Sequence, residues 1–430
     1  TRRAATGPVP EPVSQAKKAR SARPACASSY VFHSNCHPMG ARARRGTPPY
    51  NAAMALPPEV CIRGAGIVGR TLALLLARER VRVALVAPAD TSPREDVRAY
   101  ALNAASKALL ESLRAWPDAA HATPVREMLV HGDEGGRVHF QARQHAVDAL
   151  AWIVDVPALE RQLADAVRFA PQVEVVPAPV KAPLTVVCEG KASATRALLG
   201  VQYEVARYPQ HAIAARLRAE RPHDDTARQW FDDKGEVLAL LPLGGPGSHD
   251  LALVWSVDQF RAPALLAQDA DAFCAGVREA CGDALGAFTL GSERAAWPLQ
   301  RATADRWIGR FTTDDGQDGG AWALAGDAAH TVHPLAGQGL NLGLADAASL
   351  ATILKQREYW RSVGDARLLR RYERARRADV MAMGLATDGL QQLFAHGMDP
   401  LPQLRNWGMR GFDRTRVIKN WIARQAMGLA

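Results

Sequence analysis

The stretch from Trp322 to Asp346 constrains the fold of this chain more than any other feature. It begins with a short apolar run that ends in Gly326-Asp327, continues as a loop with further glycines, and then takes on a helical pattern. This order predicts a strand that delivers one carboxylate, followed by a helix whose N-terminus points to the same place. A carboxylate accepts hydrogen bonds from ligand hydroxyls, and the free N–H groups and positive dipole end of a helix favour negative charge.

A flavin dinucleotide would use both the carboxylate and the helix start, because it has ribityl hydroxyls in its middle and a ring that becomes anionic on reduction. We predict that Asp327 binds the ribityl hydroxyls and that the following loop and helix start present N–H groups to the N1/C2-carbonyl side of the ring. The predicted cofactor-binding residues of this stretch are Gly326, Asp327, Gly337, Gln338, Gly339, Leu340 and Asn341. The alternative is a buried strand, loop and helix in which Asp327 caps a turn; it explains single residues but not the whole spacing.

A second constraint lies far upstream. Gly64, Gly66 and Gly69 form a Gly-x-Gly-x-x-Gly pattern between a strand-like run and a helix-period run, and another strand-like run follows. We expect Gly64 to make the tight turn, Gly66 to let the backbone approach a pyrophosphate, and Gly69 to let helix and strand pack closely. The acidic residue that usually ends the second strand is absent, since Ala87 and Pro88 occupy its place.

The two motifs bracket a β-rich middle, so the nucleotide-binding domain has to be discontinuous. The predicted fold class is α/β, with a discontinuous FAD-binding Rossmann-like domain, an inserted antiparallel β substrate domain and C-terminal helices. The expected ranges are 1–53 for a disordered basic tail, 54–120, 150–200 and 296–350 for the FAD-binding domain, 121–149 and 201–295 for the β-rich substrate domain, and 351–430 for the C-terminal helical region. Helices are expected over 157–167 and 269–285, and throughout from residue 346 onward.

The net charge of +9 is unevenly distributed. Residues 1–53 hold nine Lys and Arg against one acidic residue, Glu11, so they carry +8 and leave +1 for the rest of the chain. The body therefore gives no charge argument for a nucleic-acid partner. No apolar run is long enough to predict a membrane-spanning helix. The six cysteines form no C-x-x-C pair, which favours a reducing compartment and predicts neither a metal site nor disulfides.

Residues 1–53 are rich in Pro, Ser, Ala and Arg with little apolar periodicity, a composition typical of disorder. Three interpretations are open: an organellar transit peptide, a basic arm for anionic surfaces, or translated sequence upstream of a start at Met54. We expect the third, because Met54 stands six residues before the first predicted strand and the chain begins with Thr1.

A third motif, Glu189-Gly190 within residues 188–196, completes a family resemblance. The three motifs resemble the signatures of the para-hydroxybenzoate-hydroxylase family of flavoprotein aromatic hydroxylases, and the chain is most similar to its ubiquinone-biosynthesis hydroxylase branch. Further points of similarity are the runs 96–106, 297–299 and 405–409. The resemblance spans residues 60–430. It implies an FAD enzyme in which NAD(P)H reduces the flavin and one oxygen atom of O2 passes to an electron-rich phenol that is polyprenylated in this branch.

The resemblance also implies individual roles. Arg98 pairs with a phosphate or ribose of the cofactor, with a surface salt bridge as the alternative. Glu189 and Gly190 serve both FAD and NAD(P)H, and the carbonyl of Pro334 lies near the reactive edge of the flavin, which makes Pro334 the one catalytic candidate. His330 is a structural loop residue. Three candidates for a general base on the phenol are not ranked: His211, Tyr203 and Arg216.

Two other function classes stay open, because Glu189 stands where the family usually has Asp, and the two-stranded crossover before it is shortened to residues 173–187. One is a flavin reductase or oxidase on the same fold; the other is a non-catalytic flavin-fold subunit of a biosynthetic complex. The expected partner is a small aromatic substrate, without nucleic acid, and a place in a multi-enzyme complex is left open. Basic and aromatic residues within 405–424 predict contact with an anionic membrane surface, with a solvated helix face as the alternative. The expected localisation is cytoplasmic, peripheral to the inner membrane.

Overall fold

Three β-sheets and the helices that cover them make up the described part of the computed structural model, namely residues 56–87, 96–132, 135–312, 318–332 and 339–395. For residues 312, 318 and 384–395 only the backbone is described. The strands, numbered in chain order, are β1 Val60–Arg63, β2 Val83–Val86, β3 Ala99–Leu102, β4 Ala122–Val125, β5 Glu127–His131, β6 Arg137–Gln141, β7 Ala151–Asp155, β8 Val173–Val176, β9 Leu184–Val187, β10 Tyr203–Ala219, β11 Thr226–Phe231, β12 Val237–Pro242, β13 Asp250–Asp258, β14 Phe288–Leu290, β15 Ala295–Ala304, β16 Ile308–Thr312, β17 Asp318–Leu324 and β18 His330–Thr331. The helices are α1 Ile67–Arg78, α2 Ala104–Ser112, α3 Val156–Arg168, α4 Ala194–Leu198, α5 Ala262–Ala267, α6 Ala270–Ala280, α7 Gly339–Lys355 and α8 Ala366–Ala395.

The first sheet has six strands in the order β16-β17-β9-β1-β2-β8, all parallel except for the antiparallel pair β16 and β17. Its central strand β1 is fully buried over residues 60–62, as expected where helices cover both faces of a parallel sheet. The apolar faces of the covering helices share one core with the strands; Leu72 of α1, Leu163 of α3 and Leu350 of α7 belong to it.

The carboxyl ends of three parallel strands meet at one edge of this sheet. β1 ends just before Gly64, β9 shortly before Glu189, and β17 shortly before Gly326. The structure thus brings the three predicted motifs to the edge at which parallel α/β sheets bind their ligands.

The second sheet follows the order β18-β15-β10-β13-β12-β11-β5-β6, with β14 paired to β10. Its pairs are antiparallel except for β5 and β11, which are parallel, so the expectation of an antiparallel insertion holds for all but that pair. The third sheet, β3-β7-β4, is antiparallel.

The strands of the first sheet all fall within the ranges expected for the FAD-binding domain. However, β15 and β18 carry the second sheet into the range 296–350, which was expected to belong to the other domain. The division into domains at the expected positions remains a prediction, and residues 1–53 lie outside the described residues.

The expectation of a single helix over 269–285 is confirmed at its start and was wrong at its end, because α6 spans Ala270–Ala280. α6 begins only after Asp269, whose Oδ1 accepts the N–H of Ala272 at 2.7 Å and so caps the helix. It ends at Ala280 because Gly282 and Asp283 take positive φ angles of 61° and 58°. The helix expected over 157–167 is confirmed as α3.

The expectation of unbroken helical structure from residue 346 was also wrong. α7 begins earlier, at Gly339, and residues 356–365 form a loop before α8. The Oδ1 atom of Asp365 accepts the N–H of Arg367 at 2.8 Å, which starts a new helix at this point. Within the described ranges, no helix is both long and apolar enough to cross a membrane.

Candidate functional site

Steric exclusion shapes the loop between β1 and α1. Gly64 has a φ of +110°, and a Cβ there would lie 2.5 Å from the carbonyl oxygen of Cys188. A Cβ on Gly69 would lie 1.9 Å from the carbonyl oxygen of Gly64. Gly66 differs: it precedes α1 without a side-chain cap, and no described atom beyond its chain neighbours lies within 4 Å of the position its Cβ would take. Among the described residues, the start of α1 therefore leaves the space that a pyrophosphate-binding loop requires.

The turn after β17 is held from α7 through one carboxylate. Gly326 begins a 3₁₀ turn with a φ of +62°, and its N–H donates to Oδ2 of Asp346 at 2.8 Å. At the other end of the turn, Nε2 of His330 lies 2.7 Å from the same oxygen. Asp346 is fully buried and so fixes both ends of the turn. His330 thus has the structural position that the resemblance implied, whereas Asp346 had no assigned role in the sequence analysis.

The carbonyl oxygens of this turn are held from the opposite side. The hydroxyl of Tyr203 donates to the Asp327 carbonyl at 2.9 Å, and Nη1 of Arg196 donates to the Ala328 carbonyl at 3.0 Å. Arg196 also donates to the carbonyl of Lys191 at 2.7 Å, and its guanidinium lies 3.5 Å from the centroid of the Tyr203 ring. Arg196 therefore joins the middle motif to the Gly-Asp turn.

Within the described ranges, the side chain of Asp327 has no hydrogen-bond partner, unlike the backbone of the turn. No residue of the described ranges donates a hydrogen bond to its carboxylate. Burial raises the pKa of Asp327, and the positive charges of Lys191 and Arg98 offset only part of this. Such a carboxylate costs free energy until hydroxyl or N–H donors reach it. The ribityl hydroxyls of FAD would be such donors, so the site fits this cofactor.

Small residues bring the two helix starts together at this turn. A Cβ on Gly343 of α7 would lie 2.8 Å from Cγ2 of Val68 in α1, and a Cβ on Gly326 would lie 3.3 Å from the same atom. At Gly339, where α7 begins, the nearest described atom to a Cβ would be Cγ2 of Val332 at 3.9 Å. The first turns of α7 and α1 thus lie side by side at the turn.

Asn341 is a predicted N–H donor to the flavin ring, and the structure gives its side chain another task. Nδ2 donates to the carbonyl of Ala101 at 2.9 Å, while Oδ1 accepts from the hydroxyl of Ser106 at 2.7 Å and the N–H of Asn103 at 3.1 Å. The side chain therefore ties α7 to β3 and α2, and donation by the N–H of Asn341 to the flavin ring stays a prediction. Leu340 packs at the margin of the first core. Three predicted residues lie outside the described residues: Pro334, Gly337 and Gln338.

Glu189 shapes its own loop. Its carboxylate accepts hydrogen bonds from the hydroxyl of Ser193 at 2.7 Å and from the N–H and hydroxyl of Thr195 at 3.0 and 2.5 Å, and it lies 3.2 Å from Nε of Arg63. Burial alone would raise the pKa of Glu189, but these hydrogen bonds hold the pKa below its ordinary value. The following Gly190 has a φ of +76° and an open Cβ position. Glu189 thus holds its own loop together and ties it to Arg63 at the end of β1.

Arg98 lies just before β3, with 46% of its side chain exposed. It forms a bidentate ion pair with Asp96, which raises the pKa of Arg98, and its Nη1 lies 3.3 Å from the Tyr100 hydroxyl. This is the salt bridge of the alternative interpretation, although the charge of Arg98 also acts on Asp327. Tyr100 belongs to the same neighbourhood, since burial and then the charge of Asp327 raise its pKa. Tyr100 was not among the predicted site residues.

Two of the three residues weighed as general bases have structural partners. Tyr203 binds the Gly-Asp turn, and Nη2 of Arg216 donates to Oδ1 of Asp155 at 2.7 Å. Nδ1 of His211 is buried without a hydrogen-bond partner in the described part of the chain. No cluster of His, Cys, Asp or Glu within the described ranges could hold a metal ion.

Comparisons with known proteins agree with this site. A family model described as FAD binding domain matches residues 174–386, which include the middle motif and the Gly-Asp turn. The 3-demethoxyubiquinol 3-hydroxylase of Escherichia coli K12 is 30% identical over 403 residues, covering 87% of this chain and 99% of that protein. The ubiquinone hydroxylase UbiL of Rhodospirillum rubrum is 30% identical over 398 residues, covering 86% and 89%. The solved structure of p-nitrophenol 4-monooxygenase PnpA from Pseudomonas putida shares the fold with a TM-score of 0.66 at 15% identity, covering 86% and 98%.

The FAD-binding family model and the two hydroxylase relatives together identify an FAD-dependent monooxygenase. Within that class, the chain belongs to the family of ubiquinone-biosynthesis hydroxylases, because it is 30% identical to two of its members over most of their length. The predicted family resemblance, fold class, enzyme class and FAD cofactor are therefore confirmed. The roles of individual residues stay predictions.

Proposed function

We propose that this enzyme hydroxylates the phenolic ring of a polyprenylated ubiquinone precursor, with electrons from NAD(P)H and oxygen from O2. The observation that carries the proposal is the Asp327 carboxylate, which has no donor among the described residues although the backbone around it is held from both sides. This arrangement suits a ligand with hydroxyl groups and a charge-bearing ring. The name of the similar E. coli protein refers to a demethoxyubiquinol, which suggests the substrate class.

The residues of this chain would divide the binding of FAD between them. The start of α1 beside Gly66 would hold the pyrophosphate, and Asp327 would accept hydrogen bonds from the ribityl chain. The first turn of α7 would favour the anionic reduced ring by ~0.3–2 kcal/mol. Arg98 would add positive charge near the phosphate or ribose, and Glu189-Gly190 would keep the middle loop in shape. FAD, when bound, supplies electron transfer and oxygen activation; the placement of Pro334 at its reactive edge remains a prediction.

The second sheet would form a wall of the substrate pocket. In β10, Ile213 lies in the core beneath α5 and α6, so its neighbours Ala212 and Ala214 lie on the opposite face of the sheet. Ser256 and Val254 are their cross-strand neighbours there. Ala212 and Ala214 are at most 3% exposed, so other atoms of the protein cover them, whereas Val254 is half-buried. A pocket that excludes water suits an oxygen transfer that water and protons would divert to H2O2.

The proposal is tested by the visible spectrum of the purified protein with FAD, followed by NADH and NADPH oxidation under labelled O2 with a short-chain demethoxyubiquinol. We expect a yellow holoprotein, NAD(P)H oxidation that the phenol stimulates, and one labelled oxygen atom in the product. NAD(P)H oxidation that yields H2O2 and no labelled product would favour the reductase or oxidase alternative. A protein that stays colourless after FAD addition would favour the non-catalytic subunit.

We further propose contact with an anionic membrane surface, where a polyprenylated substrate resides. The predicted contact residues, 405–424, lie outside the described residues. In the described part, Tyr359 and Trp360 are 94% and 68% exposed and stack edge to face in the loop before α8. A hydrogen bond of 3.2 Å between Arg371 and Gln356 joins this loop to α8. The exposed arginines at the start of α8 are Arg367, Arg370, Arg371 and Arg374. Interfacial aromatics beside basic residues are typical of peripheral membrane contact.

Vesicle flotation tests this contact. We expect the wild type to float with anionic vesicles at low salt and not with zwitterionic ones, because the arginines need lipid charge. The double variant Tyr359→Ser/Trp360→Ser should lose most of the binding, while Phe260→Ser, which removes another aromatic that is 83% exposed, should retain it. Equal flotation of the double variant would remove this surface from the proposal, and no flotation of the wild type would end it. Membership of a multi-enzyme complex stays a prediction.

A further inference from the structure

A buried polar cluster connects the Gly-Asp turn to the long helix α8. Oδ2 of Asp346 accepts the N–H of Gly326 and is hydrogen-bonded to Nε2 of His330, and Oδ1 accepts the Nε–H of Arg376 at 2.7 Å. Arg376 also pairs with Asp379, one helical turn further along α8. Asp346, His330 and Arg376 are each at most 4% exposed, so water has little access to these charges.

Other contacts of α8 reach the same region. The hydroxyl of Tyr372 donates to the carbonyl of Leu324, the last residue of β17, at 2.9 Å. Oε1 of Glu373 accepts the N–H of Trp307 at 2.9 Å, and the Trp307 ring stacks on His330 with centroids 5.0 Å apart. The first half of α8 therefore packs directly behind the strand end and the turn that carry the candidate FAD site.

We propose that docking of α8 through Arg376 is energetically coupled to FAD binding at Asp327, which makes Arg376 a positioning residue for the cofactor. The inference rests on the proposed binding of FAD at Asp327. Without Arg376, the buried carboxylate of Asp346 loses the guanidinium on its Oδ1 and keeps only His330 and the N–H of Gly326 as partners. It then takes up a proton or moves, and its hold on the N–H of Gly326 weakens. A looser Gly326 lets the neighbouring Asp327 adopt several positions, so the ribityl hydroxyls have to order it on binding.

Such coupling acts with the same factor in both directions. If docked α8 raises the affinity for FAD, bound FAD must stabilise α8 against local opening by the same ratio. Couplings between protein sites span ~5–150-fold, and we expect this one to fall within that range. The arginines of α8 make the second direction measurable, because trypsin cleaves a helix only after it has opened locally.

The first measurement is the FAD dissociation constant of the wild type, Arg376→Ala, Arg376→Lys and Arg374→Ala, from quenching of flavin fluorescence. Arg374 is the matched control, since it is exposed on the same helix and its Nε bonds only to the Arg370 carbonyl. We expect Arg376→Ala to lose ~5–150-fold in affinity, Arg376→Lys to recover part of it, and Arg374→Ala to match the wild type. The visible circular dichroism of bound FAD should change in Arg376→Ala, because the cofactor is held in a less defined position. Wild-type FAD affinity and dichroism in a cooperatively melting Arg376→Ala would overturn the proposal.

The second measurement uses only the wild type, so it does not depend on the folding of a variant. Limited trypsin digestion is followed by mass spectrometry with and without saturating FAD. Cleavage after Arg367 to Arg374 should slow by the factor found for Arg376→Ala, while cleavage after Arg168, whose side chain is 77% exposed at the end of α3, should change less. Equal cleavage of α8 with and without FAD, in protein that binds FAD, would overturn the coupling. A wild type that binds no FAD would overturn the proposed cofactor site instead.

Discussion

The two motifs at the candidate FAD site keep their shapes by opposite means. The loop over residues 64–69 depends on missing side chains, because two of its three glycines leave no room for a Cβ. The turn over residues 326–330 depends on buried polar contacts from Asp346, Tyr203 and Arg196. Steric exclusion tolerates almost no substitution and is independent of solution conditions. Polar contacts give graded responses to mutation, and they respond to pH.

This difference matches what each motif has to present. A loop that binds a pyrophosphate through backbone N–H groups needs only the right shape. A turn that presents one carboxylate must fix both the position and the charge of that group. The buried Asp346 makes this possible, because it anchors the backbone of the turn without occupying the side chain of Asp327. Variants of the two motifs should therefore differ in the size and the kind of their effects.

The largest effect is expected from Asp346→Ala. The variant leaves Arg376 buried without its carboxylate and removes the acceptor of the Gly326 N–H. We expect a loss of about 3–5 kcal/mol in the free energy of unfolding, measured by urea denaturation. Asp379→Ala is the matched control, since it also removes a partner of Arg376 but from a position that is 63% exposed, and it should cost less than about 1 kcal/mol. Similar losses in both variants would mean that burial of Asp346 does not decide its contribution.

The next effect separates two glycines of the same loop. In Gly69→Ala, the new Cβ meets the backbone oxygen of Gly64, so the loss of stability should reach the upper end of the ~1–3 kcal/mol typical of overpacking or exceed it. In Gly66→Ala, the Cβ enters open space, so the apoprotein should unfold near the wild-type urea concentration while FAD binds more weakly. Unfolding curves and FAD titrations of both variants check this pair. Wild-type FAD affinity in Gly66→Ala would show that the open space is not the pyrophosphate site.

The contrast between the motifs also explains what the sequence could reveal. The glycine spacings are local signals, because each glycine is required by close backbone atoms that lie either a few residues away or at the end of one neighbouring strand. The pair of Asp346 and Arg376 is separated by 30 residues and exists only once α7 packs on α8. One signal was available: Asp346 interrupts an apolar helical pattern that includes Leu344 and Leu350, and a charge in such a place needs a buried partner. The identity of that partner follows only from the packing.

Local polar details were a second source of difference. The apolar pattern across 269–285 located the start of α6 but not its end, which depends on the positive φ angles of Gly282 and Asp283. The side-chain amide of Asn341, a residue predicted to present an N–H group to the flavin, binds Ala101 and Ser106 across the core, and the sequence did not indicate this contact. Hydrogen bonds of this kind depend on which strand lies opposite, and a single sequence does not state that.

A smaller effect on stability but a clear effect on binding is expected from Asp327→Asn. The amide keeps an acceptor of similar shape but removes the negative charge, and hydrogen bonds to charged groups contribute about 1.5–3 kcal/mol. The FAD dissociation constant should therefore rise by ~10-fold or more. The free energy of unfolding of the apoprotein should stay the same or increase slightly, because a half-buried carboxylate without donors is lost. A large loss of apoprotein stability would contradict the view that this side chain is reserved for a ligand.

The smallest effect is a pH dependence that differs between the two carboxylates. Burial raises the pKa of Asp327 in the apoprotein. For Asp346, burial acts in the same direction, but the charge and hydrogen bonds of His330 and Arg376 bring its pKa below the ordinary value. Hydroxyl donors favour the charged form of Asp327, so a proton has to leave when FAD binds at low pH. FAD affinity should therefore fall as the pH decreases through the raised pKa of Asp327, by at most ~10-fold per pH unit.

The contribution of Asp346 to stability should change at lower pH than the FAD affinity does. A carboxyl group with a lowered folded-state pKa contributes stability above its unfolded pKa and loses that stability as the pH falls below it towards the folded value. Between the raised pKa of Asp327 and the unfolded pKa of Asp346, acidification should weaken FAD binding while the contribution of Asp346 to folding stays constant. FAD titrations and urea unfolding at matched pH values, from neutral to pH ~4, measure both quantities, with Asp327→Asn as the variant whose FAD affinity should not change with pH in this window. If FAD affinity and stability decline together in the wild type, the anchoring carboxylate and the ligand-binding carboxylate are not independent, and the turn is less rigidly held than its hydrogen bonds indicate.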